Sequence, residues 1–341
     1  STVVILIGLS VYALQSTKDL VLTQTDKKIK EDAVQLVLGR GEAEVSRVTR
    51  YLHEAQIRTS ILAASLVAQK QHAQQNYLGS GIVRRSLNSQ VLQAAKSTPY
   101  ALGAYAVMLP AALGHADDTY AGQSESGGNE TGRFSVYWSR SEKGELTLEN
   151  LTEDDINDTK PDVNNIPANE WFACSIRVHA PCLLNPYKDT SNNKEMMMVT
   201  VTQPVIEGDQ LLGVVGMDIS LDALQEAIKN LDNQLFEGHG KAALISSDAI
   251  AVSVSDMPFI PGEAVAKKDA KLSEQLKTWL KQAKVQVNWQ GETLQLFIPV
   301  NNSNLPSWGL LLEFPGQDVL AAARQISSSL DEQISSGINR Q

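Results

Sequence analysis

Asp218 closes the run LLGVVGMDIS at residues 211–220, where its neighbours are Leu, Gly, Val and Met. On a strand it shares a face with Leu212, Val214 and Gly216, so it points where a core residue belongs. A carboxylate there needs partners. It either caps the helical segment that follows, LDALQEAIKN, whose free N–H groups and dipole favour an anion, or it anchors a ligand ammonium group. Trp171 and Phe172, adjacent in IPANEWFAC, are either core anchors or the wall of a pocket. Met196, Met197 and Met198 alternate faces on a strand, so at most two can line a pocket, and core packing is the simpler reading.

The chain has two cysteines, Cys174 and Cys182. A disulfide closing so short a loop would stabilise by ~2–3 kcal/mol. Two free thiols, or a zinc site completed by His179, are the alternatives, the latter with only three ligands at odd spacing. The histidines at 53, 72, 115, 179 and 239 show no metal-ligand spacing. His53 and His72 fall on a long helix and read as solvated. Asp117-Asp118 and Asp154-Asp155 read as solvated loop acids before a general acid/base pair or a cation site. There is no G-x-G-x-x-G after a strand, no P-loop, no G-x-S-x-G and no H-E-x-x-H. No catalytic residue, metal or cofactor is assigned, and the balance moves from enzyme to binding protein.

These residues must be positioned by 341 residues, of which 43% are hydrophobic and 20% charged. At ~150 residues per domain that length suggests two domains. The net charge of −10, from 29 basic and 39 acidic residues, argues against nucleic acid or an anionic membrane surface as the main partner. No run of 18 or more apolar residues appears, which excludes a multi-span membrane protein.

The chain starts at Ser1 rather than Met and reads as a piece of a longer protein. Residues 1–14, STVVILIGLSVYAL, are apolar and uncharged. As a helix they span about 21 Å, short of the ~30 Å bilayer core. They read as the end of a transmembrane helix; the tail of a signal peptide and a buried soluble helix are alternatives. A long helix then covers 15–75. In it Val34, Leu38, Gly41, Val45, Val48, Leu52, Ala55, Thr59, Leu62 and Leu66 recur in steps of three and four, the rhythm of a narrow apolar seam. Such a helix serves as a spine beside two stacked modules or as a dimer interface.

Beyond it the periodicity changes. Tyr100–Leu109 and Arg133–Arg140 read as strands, with an exposed Gly/Ser/Asp-rich loop at 115–131 and an acidic loop over one face at 152–166. Glu195–Ile206 and Leu211–Ile219 form a strand pair around a turn, and Ser220 caps a helix from Leu221 to about Leu231. A smaller unit follows, with a strand at Lys241–Ser246, a helix at Lys271–Lys284, a hairpin at 285–300 and a strand at Trp308–Phe314. A final helix occupies 316–341. Both units end in similar fashion, which points to two similar α/β modules in tandem.

With its W-F-x(14)-Y spacing (Trp171, Phe172, Tyr187), the stretch NEWFACSIRVHAPCLLNPYKD precedes a VTVTQPV strand and LLGVVGMDISLDAL. This pattern resembles the double Cache sensor domains of bacterial methyl-accepting chemotaxis receptors and membrane histidine kinases. The resemblance spans essentially the whole chain, and its most specific parts are N-P-Y-K-D and G-V-V-G-M-D-I-S. It implies a long spine helix with two tandem PAS-like (Cache) modules, each an antiparallel sheet flanked by helices. The implied layout is a membrane-distal, ligand-binding module at 76–232, a membrane-proximal module at 233–315 and an exit helix toward a second transmembrane span.

In members that bind amino acids, an Arg two residues before the Trp holds the ligand carboxylate, and a Tyr lies five residues before that Arg. A later Tyr and an Asp receive the amino group. Here Trp171 matches the Trp, Phe172 replaces a Tyr, and Tyr187 and Asp218 match the amine-binding pair. Asn169 stands at the Arg position and Asn164 at the earlier Tyr. The amine half of the motif stands and the carboxylate half does not, because Asn cannot make the bidentate charged pair of Arg. The implied ligand is an amine without an α-carboxylate, or an amino acid whose carboxylate meets another cation, of which Arg177 is nearest. Tyr105 and Tyr137, with Trp138, are expected as further strand contributors to the site.

The resulting expectation is a periplasmic sensor region at the bacterial inner membrane, joined to it by flanking helices and homodimeric in the full receptor, with chemotaxis as output. A kinase or diguanylate cyclase sensor for another ligand such as a carboxylate, an exported membrane-anchored hydrolase and a non-binding dimerisation stalk are the alternatives.

Overall fold

One helix, α1 (Thr2–Gln75), runs through 74 residues, ~110 Å at 1.5 Å per residue. The computed structural model describes residues 2–114, 116–191, 194–234, 240–301 and 305–321. Between 48 and 66 the buried line of α1 is the one the heptad rhythm predicts: Val48, Leu52, Ala55, Thr59, Leu62 and Leu66. Below it the line rotates. Ala33, Val37 and Glu44 are buried, whereas Val34, Leu38 and Val45 are half-buried. A strict heptad seam drifts about 20° per heptad on a straight α-helix, and here the contact line moves around α1 in the same manner. The seam faces the chain's own sheets. Gly41 makes the approach possible, since a Cβ there would lie 2.3 Å from Ile298 Cδ1 and 3.1 Å from Leu312 Cδ1. A short link returns the chain antiparallel along α1 as α2 (Ser80–Lys96), which buries Val83, Leu87, Val91 and Ala95.

The first sheet has seven strands: β1 (Ala101–Met108), β2 (Ser135–Arg140), β3 (Leu146–Glu149), β4 (Cys182–Leu183), β5 (Tyr187–Ser191), β6 (Lys194–Glu207) and β7 (Gln210–Ser220). Their order is β3-β2-β1-β7-β6-β4, with β5 also paired to β6, and every pairing is antiparallel. Alternation divides the strands. Ala104, Ala106, Val136, Val199, Val201, Val215, Met217 and Ile219 join the core against α1 and α2. Tyr105, Val107, Tyr137 and Val214 face the opposite way, with α3 (Glu153–Asn157) and α4 (Glu170–Val178) over them. Leu212 departs from its expected face. It is the unpaired residue of a bulge between the Val205–Gly213 and Ile206–Leu211 pairs, and it joins the helix-side core.

The segment expected as an exposed loop at 115–131 is exposed at 118–119, 121–125 and 130–131 and folds in between. It carries two short 3₁₀ turns, Asp117–Tyr120 and Ser124–Ser126, and Ser126, Gly127, Gly128 and Asn129 are buried. Its glycines permit this: a Cβ on Gly128 would meet the Tyr120 carbonyl oxygen at 2.0 Å. The 152–166 segment, read as loop alone, contains α3 with a reciprocal capping box between Thr152 and Asp155.

Helix α5 (Leu221–Gln234) begins where β7 ends, with the Ser220 hydroxyl accepting from the Asp222 N–H at 3.0 Å. The second sheet follows: β8 (Lys241–Ile245), β9 (Ala251–Ser255), β10 (Gln286–Gln290), β11 (Thr293–Val300) and β12 (Trp308–Pro315), in the order β10-β11-β12-β8-β9. One face packs on α1 and α5 through Leu244, Leu296, Ile298, Leu310 and Leu312. The other is filled by α6 (Ala270–Gln282) and its approach, with Trp279 and Phe297 ring centroids 5.6 Å apart among Met257, Phe259 and Leu276. Residues 316–321 are helical, and the remainder of the expected exit helix lies outside the described residues. Among the described residues no helix is long and apolar enough to cross a membrane.

Candidate functional site

The two units treat equivalent faces differently. In the second, aromatic and aliphatic side chains close the space under α6. In the first, a cleft of about 1150 Å³ opens over the sheet face turned away from α1.

Its floor comes from three adjacent strands. Tyr105 on β1 pairs in register with Tyr137 on β2 and with Gly216 on β7. A Cβ at Gly216 would lie 2.2 Å from the Tyr105 ring, and one at Gly103 would lie 2.4 Å from that of Tyr137. The two glycines thus let both rings lie against the sheet. Tyr105 meets Trp171 edge to face at 5.2 Å, and its hydroxyl donates to the Trp171 carbonyl at 2.6 Å, fixing the start of α4 over the floor. The disulfide Cys174–Cys182 ties the middle of α4 to β4, with Cα atoms 6.3 Å apart. His179 serves as the left-handed residue that ends α4, with φ 53°.

Asp218 lies at the bottom, 4% exposed. The Thr200 hydroxyl donates to its Oδ1 at 2.6 Å, and Thr200 Oγ1 lies 2.7 Å from the Tyr187 hydroxyl. With its one proton committed to Asp218, Thr200 accepts from Tyr187. Burial raises the Asp218 carboxyl to about 7; the Thr200 hydroxyl opposes the rise, Asp189 adds to it, and a hydrogen bond with Tyr137 opposes it. Burial and the facing Asp218 push the Tyr187 and Tyr105 phenols well above their ordinary value, so both stay neutral hydroxyls. Asp218 does not cap α5, which Ser220 caps.

Asp218, Tyr187, Trp171, Tyr137 and Tyr105 line the cleft together. Phe172 does not: consecutive helical residues are ~100° apart, and with Trp171 facing inward its ring packs under the Arg133 guanidinium at 5.2 Å. Asn169 is buried beneath α4, donating from Nδ2 to the Ile156 carbonyl at 2.9 Å. Asn164 turns to the second unit, donating to the Gly262 carbonyl at 2.7 Å and accepting from the Ala264 N–H at 3.1 Å. Trp138, one residue after an inward Tyr137, lies on the opposite face and donates to Asn88 Oδ1 at 2.8 Å. Arg177 lines the cleft but is engaged by Glu170 at 2.5 and 3.2 Å.

Thr200 was not singled out by sequence, although its place between Val199 and Val201 puts it on the polar side of β6. The acidic segment supplies rim residues Asp155, Asp158 and Asp162. Among the described residues, nine carboxylates, counting Asp218, line the cleft against two cations, Arg177 and Lys188. The paired-acid readings dissolve: Asp117 pairs with Arg84 and accepts from the Ala111 N–H at 2.7 Å, and Asp155 is spent in the capping box. His53 and His72 are exposed on α1. Among the described residues no cluster of His, Cys, Asp or Glu could hold a metal ion.

Two antiparallel sheets strung on one spine helix, with an open cleft over the first, give a tandem Cache-like α/β fold. Residues 87–226 match the first PDC sensor domain of the methyl-accepting chemotaxis protein-like family. The chain is 28% identical over 331 residues to the methyl-accepting chemotaxis protein TlpQ of Pseudomonas aeruginosa, an alignment covering 97% of this chain and 46% of that protein. It thus spans about half the length of that relative. The periplasmic sensory domain of the Campylobacter jejuni chemoreceptor Tlp1 has the same fold, with TM-score 0.60 and 12% identity over 84% of this chain and 95% of that one. So does the ligand-binding domain of the Pseudomonas aeruginosa amino acid chemoreceptor PctC in complex with GABA, with TM-score 0.50 and 17% identity over 80% and 95%.

Proposed function

We propose that this chain is the extracytoplasmic ligand-binding region of a membrane chemoreceptor, and that its first unit binds a small molecule through an ammonium group. The observation that carries the reading is Asp218: a buried carboxylate whose hydrogen-bond partners are neutral hydroxyls, under three tyrosines and a tryptophan. Burying such a group is costly without a counter-charge, and a bound ammonium supplies one. Aromatic faces attract the same cation by ~0.5–2 kcal/mol, and the surplus of carboxylates around the cleft raises its local concentration.

Among the described residues of the cleft, the carboxylate half of an amino acid meets no buried cation, since Arg177 and Lys188 are both exposed. Asn169 and Asn164 are committed elsewhere, and Arg177 is closed by Glu170. An amine without an α-carboxylate, such as a polyamine or biogenic amine, therefore suits the cleft better than an amino acid. The PctC domain, which shares this fold, is in complex with GABA, a ligand that carries an ammonium group together with a carboxylate. In this reading residues 76–232 form the membrane-distal module and residues 233–315 the proximal one, α1 is the spine beside both, and flanking segments join them to the membrane in a homodimeric receptor. No chemistry on the ligand is required; binding is read as a shift between two states, needing only a few kcal/mol of differential affinity.

A thermal-shift screen with putrescine, tyramine, L-alanine and succinate tests this, with Asp218→Ala beside the unaltered chain. A ligand at 100 times its Kd adds ~2.7 kcal/mol. A shift with the amines that vanishes in Asp218→Ala is the expected result. A shift with succinate alone would sink the ammonium anchor.

A further inference from the structure

The cleft has a wall that belongs to the other unit. Ser247, Asp248, Ile260, Pro261, Gly262 and Glu263, from loops of the second unit, line it beside the residues of the first. The junction is built around Asn164. Both ends of its amide are used on the backbone of the second unit, Nδ2 on the Gly262 carbonyl at 2.7 Å and Oδ1 on the Ala264 N–H at 3.1 Å. Beside it Asn185 donates to Asp248 Oδ2 at 2.7 Å. Met197 of the first unit sits in the notch at Gly262, where φ is +83° and a Cβ would come within 2.4 Å of the Met197 methyl.

The loop that carries Asn164 is rigid on its own account. Asp162 Oδ1 accepts from the Asn164 N–H at 2.7 Å and the Ile166 N–H at 2.9 Å, and Asn165 takes the left-handed turn at φ 63°. Asp162, Val163, Asn165 and Ile166 of this loop line the cleft. One short, internally braced loop thus has the ligand cleft on one side and the second unit on the other.

We propose that Asn164 is the latch that seats the second unit as a wall of the ligand cleft, so that a ligand in the first unit is felt directly by the second. Asn164 is here a positioning residue rather than a ligand contact. The latch rests on geometry; its coupling to an occupant rests on the amine reading above. The loop's own bonds use the Asn164 backbone and not its side chain, so truncating the side chain leaves the loop braced.

Hydrogen exchange on the whole chain, followed by mass spectrometry, separates the two. Without ligand, Asn164→Ala should exchange several-fold faster than the unaltered chain over residues 260–266, while 214–218 is unchanged. Asn164→Asp, which keeps the acceptor and loses the donor, should fall between them. With putrescine, the unaltered chain should gain protection over both 214–218 and 260–266, and Asn164→Ala over 214–218 alone. Unchanged ligand-free exchange over 260–266 in Asn164→Ala would overturn the latch. Equal putrescine-induced protection of that segment in variant and unaltered chain would overturn the coupling. If putrescine protects neither segment of the unaltered chain, the amine reading fails, and the ligand-free comparison still decides the latch.

Discussion

The Thr200 hydroxyl lies 2.6 Å from the Asp218 carboxylate and 2.7 Å from the Tyr187 hydroxyl, across the directly paired strands β6 and β7. One threonine thus relays a hydrogen bond from a tyrosine to a buried acid, and neither neighbour offers that acid a positive charge. The site is held ready for a cation by groups that cannot neutralise it.

Removing the Thr200 hydroxyl should expose its part. Thr200→Val keeps the shape of this fully buried side chain and leaves Asp218 without its main stabilising donor. Loss of a hydrogen bond to a charged group costs ~1.5–3 kcal/mol, so amine affinity near neutral pH should fall by roughly tenfold or more, read by calorimetric titration. Unchanged affinity would show that the relay has no bearing on binding.

Stability should fall with rising pH in a defined window. The folded Asp218 carboxyl stands at about 7 against an ordinary 3.8, so the folded state holds a proton that the unfolded state has released. This contribution is complete below about pH 4 and is lost as pH rises through about 7, by up to roughly 4 kcal/mol. Asp218→Asn should remove that slope and be the more stable protein at pH 8 in ligand-free urea melts. A variant that is less stable at pH 8 would contradict the assignment.

The disulfide should act on the cleft as well as on the fold. Replacing Cys174 and Cys182 by Ser frees α4 from β4 and should cost ~2–3 kcal/mol of unfolding free energy. Because Trp171 rides on α4, its fluorescence should shift and amine affinity should drop with it. A loss of stability with an unmoved Trp171 signal and full affinity would make the bridge a staple only.

Much of this was legible from local pattern. The rhythm of α1, the β6–β7 hairpin and, apart from β9, the second unit's strands and helix are written in periodicity, and Asp218 stands out because a charge interrupts an apolar strand. What escaped was tertiary. Helix α2 carries Val83, Leu87, Val91 and Ala95 at intervals of four, but polar residues between them mask the signal. Strands β3, β5 and β9 are short, and pairing defines them more than composition. Phe172 and Trp171 are adjacent in sequence, but on a helix adjacency points two side chains in different directions. Asn164 binds a carbonyl 98 positions away, and nothing nearby in sequence could disclose that.

The most direct test is a calorimetric titration of the whole chain with putrescine and tyramine between pH 5.5 and 8.5, beside Asp218→Asn. Both amines stay cationic over that range, so the titrating partner is the protein. With Asp218 at about 7, affinity should rise about thirtyfold from pH 5.5 to 8.5, up to tenfold per unit at the acid end and levelling above neutrality. Asp218→Asn should lose at least ~30-fold at pH 8 and show a flat profile. Equal affinity in the two proteins, or a profile that falls as pH rises, would contradict an ammonium held by Asp218.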